Sequence, residues 1–176
     1  MSSPSNYEVT LYPNPVLRQV AEEVAFDAEL EELVRDLFER MFESKGLGLA
    51  APQIGLKKRV LVLNKDGEDN ENNLALVNPK IVSFAGPKTT FEEGCLSFPG
   101  IYAEVVRPDR CTVEAFDEKG NPINREFDGF ESRVVQHEYD HLQGVLLVDR
   151  MSATDRMQSK YALAELKELY RKQKVS

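Results

Sequence analysis

The sequence predicts an α+β domain, with mostly antiparallel sheets packed around a central metal-binding helix, flanked by an N-terminal helix and a C-terminal helix. Three observations carry this reading. Apolar residues recur at helical spacing over Leu30–Met41 and again over Phe130–His141. Short β-rich runs punctuated by Gly, Pro and Asn fill the interval between those two stripes. A tail rich in Ala, Leu, Glu and Lys closes the chain.

The elements follow in order. Leu30, Leu33, Val34, Leu37, Phe38 and Met41 fall on one helical face, with Glu31, Glu32, Arg35 and Glu39 on the other. Gly46, Gly48, Pro52 and Gly55 then break the helix, and strands are expected at 59–64, 74–78 and 80–84. Between the first two lies Lys65–Asn73, nine residues without an apolar side chain, read as a hairpin loop remote from the chemistry. Further strands are expected at 101–106, 111–116 and 122–127. The second helix runs through Phe130, Val134, His137, Glu138 and His141, read as an inner stripe, and stops at Gly144. The last, about 154–173, presents Leu163, Leu166 and Tyr170 on one side.

A chain of 176 residues is the size of one domain. A net charge of −8 with no Lys/Arg cluster argues against nucleic acid and anionic membrane surfaces as partners. The longest apolar runs, Val60–Leu63 and Val145–Val148, fall far short of the roughly 18 residues a spanning helix needs. Two cysteines, Cys95 and Cys111, do not make a disulfide scaffold, so a reducing compartment is the expectation.

The chemistry concentrates in His137-Glu138-Tyr139-Asp140-His141, which contains both histidines of the chain. Residues four apart share a helical face, so His137 and His141 can bind one ion while Glu138 stands beside it as general base. A catalytic divalent ion takes three protein ligands and keeps one position open. Cys95, in the segment Glu93-Gly94-Cys95-Leu96-Ser97-Phe98-Pro99-Gly100, is the candidate third ligand, whereas Cys111 reads as a small buried hydrophobe within a strand. Gly46-Leu47-Gly48-Leu49-Ala50-Ala51-Pro52-Gln53-Ile54-Gly55 lacks the Lys and Ser/Thr of a phosphate loop. Its small residues permit close approach of a substrate backbone, and Gln53 can donate to a developing oxyanion.

Taken together, Gly46–Gln53, Glu93–Ser97 and Gln136–Gly144 resemble the three motifs of the peptide deformylases, in family order. Phe98–Pro108 is similar to the plastid and cyanobacterial side of that family. The resemblance implies one catalytic domain over residues 1–176, with Cys95, His137 and His141 holding a divalent metal. Ferrous iron is the first expectation, with zinc, nickel or cobalt as alternatives. It implies hydrolysis of the formyl group of formylmethionine on nascent chains emerging from the ribosome, in protein biosynthesis. Glu138 transfers protons, and Gln53 and the Leu96 N–H donate to the oxyanion. Gly46, Leu47 and Gly48 pair with the substrate main chain, Gly94 belongs to the same binding segment, and Leu47, Phe91, Phe130 and Val134 are the expected lining of the methionine pocket. A monomer, cytoplasmic or in mature organellar form, completes the expectation. The rivals are an H-E-x-x-H metallopeptidase, a broader amidase, or a structural metal site closed by a fourth ligand.

Overall fold

A computed structural model describes residues 7–175. Helix α1 (Ala28–Glu43) begins where the Asp27 carboxylate accepts the Leu30 N–H at 2.9 Å, and it buries Leu30, Leu33, Val34, Leu37 and Met41. Strand β1 (Gly48–Ala50) follows, then a 3₁₀ turn over Ala51–Ile54 and strand β2 (Val60–Leu63). The expected runs 74–78 and 80–84 are parts of one strand, β3 (Leu74–Gly94), which continues well past them. Likewise 101–106 and 111–116 merge into β4 (Tyr102–Phe116), while β5 (Pro122–Phe127) matches its expectation. Mutual pairing of β3 and β4 explains the difference. Their ladder shifts register between Val77 and Lys80, Ile81 and Ser83, and Ala85 and Lys88, so the backbone continues where the side-chain pattern breaks.

The five strands form one antiparallel sheet in the order β1-β2-β3-β4-β5. Strand β2 reads as an unbroken apolar run because both its faces are covered. Val60 and Val62 pack in the cluster containing α1, whereas Leu61 and Leu63 join Leu76, Val113, Phe127, Val135 and Leu142 on the other side. Those last two belong to helix α2 (Gly129–Leu142), which lies across the sheet. A third cluster joins Phe98, Ile101 and Val105 to Leu146, Leu147, Leu163 and Leu166 of the C-terminal segment. The single helix expected over about 154–173 is divided: after α3 (Leu147–Arg150) come α4 (Ala153–Gln158) and α5 (Lys160–Val175), with Ser152 capping α4 through Asp155 N–H and Ser159 dividing α4 from α5. Only Leu163 and Leu166 of α5 are buried, and Tyr170 is half-buried.

Helix α2 stops as the sequence predicts. Gly144 takes φ +74°, and a Cβ there would lie 2.5 Å from the Arg18 carbonyl oxygen, so only glycine lets the chain turn against that backbone. No described helix is long and apolar enough to cross a membrane.

Candidate metal centre and active site

Helix α2 is buried on nearly every side, and much of what it buries is polar: Ser132, Arg133, Gln136, Glu138, Asp140 and His141. The stripe read from the sequence is therefore not the core face. Phe130 is half-exposed at 47%, and with Val134, His137 and Glu138 it walls an open cavity, while Val135 and Leu142 face the sheet. The inner stripe is thus a cavity wall, lined by Phe130 and Val134 together with His137 and Glu138.

The cavity measures about 370 Å³ and brings the three sequence segments together. Gly46, Leu47, Gly48 and Gln53 line it from the approach to β1, β1 itself and the turn after it, Phe91 and Gly94 from the end of β3, Cys95 and Leu96 from the β3–β4 connection, and Phe130, Val134, His137 and Glu138 from α2. His141 lies behind that wall, 1% exposed. Phe91 and Phe130 meet edge to face, with ring centroids 5.7 Å apart. Gly48 is required by proximity. A Cβ there would stand 2.8 Å from Glu138 Cγ and 2.9 Å from Val134 Cγ1.

The Sγ of Cys95 and one ring nitrogen each of His137 and His141 lie within 4.8 Å of one another, and Cys95 Sγ stands 3.3 Å from His141 Nε2. Ligands held at about 2.0–2.3 Å around one tetrahedral ion sit roughly 3.3–3.6 Å apart, so this donor set fits a divalent cation. Two buried polar atoms beside it, Glu138 Oε2 and His141 Nδ1, have no hydrogen-bond partner among the described residues. The electrostatics agree. Burial and the positive field of His137 push His141 well below its ordinary range, leaving it the neutral imidazole a metal needs. Burial would also lower His137, but hydrogen bonds to Cys95 and Glu93 outweigh it and, in the absence of a metal, hold that ring well above its ordinary range. Burial pushes the Glu138 carboxyl from 4.5 up to about 7.

The residues that hold this centre are ones sequence reasoning missed. Glu93, two positions before Cys95, contacts His137 Nδ1 at 3.0 Å and accepts from Arg107 Nε at 2.7 Å, Arg107 Nη2 at 3.0 Å and Arg133 Nη1 at 2.6 Å. Arg107 Nη1 reaches Asp140 at 3.0 Å, and Arg150 holds Asp140 by two further bonds. Burial alone would raise the Glu93 carboxyl, but hydrogen bonds from His137 and Arg107 overcome it and place the group far below the usual carboxylate range. A metal-ligating histidine commonly gives its second nitrogen to a carboxylate, which fixes tautomer and ring orientation. One signal was available: Ala103, Val105 and Arg107 alternate on the inward face of β4, so the arginine occupies a core position.

Gln53 is fixed at both ends of its amide. Its Oε1 accepts the Ala50 N–H at 3.0 Å, and its Nε2 donates to Ser97 Oγ at 3.2 Å with Cys95 Sγ at 3.6 Å. Cys111 is buried as expected, and its Sγ accepts from Ser132 Oγ at 3.4 Å.

An antiparallel α+β domain with Cys95, His137 and His141 converging beside a buried glutamate defines the class: H-E-x-x-H proteins with a Cys-His-His donor set that could hold one metal ion. Comparison with known proteins is specific. The family model described as polypeptide deformylase matches residues 6–157. Peptide deformylase 1B, chloroplastic/mitochondrial, of Arabidopsis thaliana is 44% identical over 147 residues, spanning 82% of this chain and 54% of that protein. A peptide deformylase of a Picosynechococcus species is 46% identical over 138 residues, 77% of this chain and 74% of that one. A solved peptide deformylase from Plasmodium falciparum superposes with TM-score 0.90 at 41% identity, covering 93% of this chain and 97% of the other. The chain belongs to the peptide deformylase family, whose members are metal-dependent. It spans about half the length of the peptide deformylase 1B relatives of Arabidopsis thaliana and Oryza sativa that it matches.

Proposed function

We propose that this chain hydrolyses the N-terminal formyl group of formylmethionyl polypeptides, releasing formate and a free amine. The observation that carries the reading is the meeting of Gln53, Cys95 and the His137–His141 helix at one cavity beside an open sheet edge. Cys95, His137 and His141 hold the metal, with ferrous iron as the native ion and zinc, nickel or cobalt as substitutes. When bound, that ion polarises the formyl oxygen and acidifies water.

The protein's own residues do the rest. Glu138 accepts a proton from the attacking water and returns it to the leaving nitrogen. Its raised pKa suits a group that must both take and give a proton near neutrality. Gln53 and the Leu96 N–H donate to the oxyanion, and the bonds that fix the Gln53 amide orient it before substrate arrives.

The substrate main chain adds to the sheet beside β1. The bond from Asn64 N–H to the Leu47 carbonyl (2.9 Å) sets residue 47 inside the β1–β2 ladder, so the polar groups of Gly48 turn to the open edge. Phe91, Phe130 and Val134 supply the apolar wall for the methionine side chain, and Gly94 forms part of the same binding segment. We read the chain as one catalytic unit, monomeric, acting on chains as they leave the ribosome, in the cytoplasm or as a mature organellar form.

The test is formate release from a formyl-Met peptide together with metal analysis of the same sample. Cleavage of peptide bonds in unformylated peptides, without formate, would establish a metallopeptidase instead.

A further inference from the structure

The polar segment 65–73, read from the sequence as remote from chemistry, is tied to the cavity by one residue. Asn64 is fully buried. Its Oδ1 accepts the N–H groups of Asp66 and Gly67, each at 2.8 Å. Its Nδ2 faces Asn73 Oδ1 at 2.7 Å, Glu68 O at 2.9 Å and Asn70 Oδ1 at 3.1 Å. A loop with no apolar side chain of its own is thus folded around a single amide.

The same residue's main-chain N–H binds the Leu47 carbonyl, and the loop returns onto the Leu47 side chain: a Cβ at Gly67 would lie 3.4 Å from Leu47 Cδ2. Strand pleating gives this contact a direction. A Cβ at Gly46 would meet Leu96, and one at Gly48 would meet Glu138 and Val134, so both positions face the metal centre. Leu47, between them, alternates to the opposite pleat while still lining the cavity. A substrate strand laid along this edge alternates in the same sense. With its methionine side chain against Val134, the next side chain emerges on the side of Leu47.

We propose that Asn64 is a positioning residue: through the loop it folds, it holds Leu47 in place and so sets which second residue of a formylmethionyl chain is accepted. This rests on the deformylase reading above. An apolar second residue gains the Leu47 contact, and glycine gains nothing.

The experiment compares kcat and KM for formyl-Met-Leu and formyl-Met-Gly peptides in the metal-loaded wild type, Asn64→Ala and Gly67→Asn. The Leu-over-Gly preference in kcat/KM is expected to fall by about tenfold in Asn64→Ala, the scale of one apolar contact, through KM rather than kcat. The formyl-Met-Gly values should stay within about twofold of wild type. Gly67→Asn keeps Asn64 and tolerates the positive φ of +75°, but sets a side chain against Leu47. It should reduce the same preference, and it carries the test if Asn64→Ala does not fold. An unchanged Leu/Gly ratio, or an equal loss on both peptides, overturns the inference while leaving the deformylase reading intact. No formate from either peptide with wild-type protein refutes both.

Discussion

Glu138→Gln should make the metal-free protein more stable at neutral pH while removing its activity. The carboxyl is 4% exposed, and its pKa stands at about 7 in the folded chain against an ordinary 4.5. Below pH 4.5 the acid is protonated in both folded and unfolded states and its contribution is intact. As pH rises from 4.5 to about 7 the unfolded chain releases the proton while the folded chain retains it, so stability is lost across that window. At 1.36 kcal/mol per pKa unit the loss reaches about 3 kcal/mol at pH 8, and it is below about 1 kcal/mol at pH 5. Gln is isosteric and cannot ionise. In a chain of this size the difference corresponds to a rise in Tm of about 6–12 °C at pH 8 that falls to about a quarter of that at pH 5. Thermal unfolding of chelator-treated wild type and variant at the two pH values measures it. Formate release by the metal-loaded variant should fall by roughly 10²–10⁴-fold with the metal retained. A variant no more stable than wild type at pH 8, or one with near-normal turnover, would refute the reasoning.

Arg107→Met strips Glu93 and Asp140 of a buried partner and should cost about 3–5 kcal/mol, read as a lower urea midpoint. It should also weaken metal affinity by about 10–100-fold through the freed His137 ring, and an unchanged midpoint would show the network to be dispensable. Cys95→Ser should weaken or alter metal binding while Cys111→Ser leaves it nearly unchanged, as metal analysis after gel filtration would show; the reverse result would mean the site is misassigned. Iodoacetamide should label Cys95 and spare Cys111 in the native metal-free protein, because burial both shields the Cys111 thiol and pushes its pKa up. Equal labelling of the two before unfolding would contradict that burial. Formyl-Met peptides should be strongly favoured over acetyl-Met and formyl-Asp peptides in kcat/KM, since a methyl group crowds the site and a charge enters an apolar pocket unpartnered; comparable rates on all three would point to a broader amidase.

The sequence by itself determined the parts whose chemistry is local. Helical spacing placed His137, Glu138 and His141 on one face, and the glycine and proline punctuation around Cys95 marked a segment between strands suited to presenting a thiolate, because both properties depend on residues within a few positions of each other. Only the tertiary structure decided how strands β3 and β4 extend, since their pairing is long-range and tolerates bulges that erase the alternation a sequence reader relies on. It also decided that the terminal helical segment breaks at Ser159 into α4 and α5. The buried ions are the clearest case. Glu93, Arg133 and Asp140 look in sequence like surface charges, and only the alternation of Ala103, Val105 and Arg107 marks the fourth, Arg107. They are tolerated inside the protein only because the fold brings each opposite an ion of the other sign, and with them held there, the ring of His137 is held too.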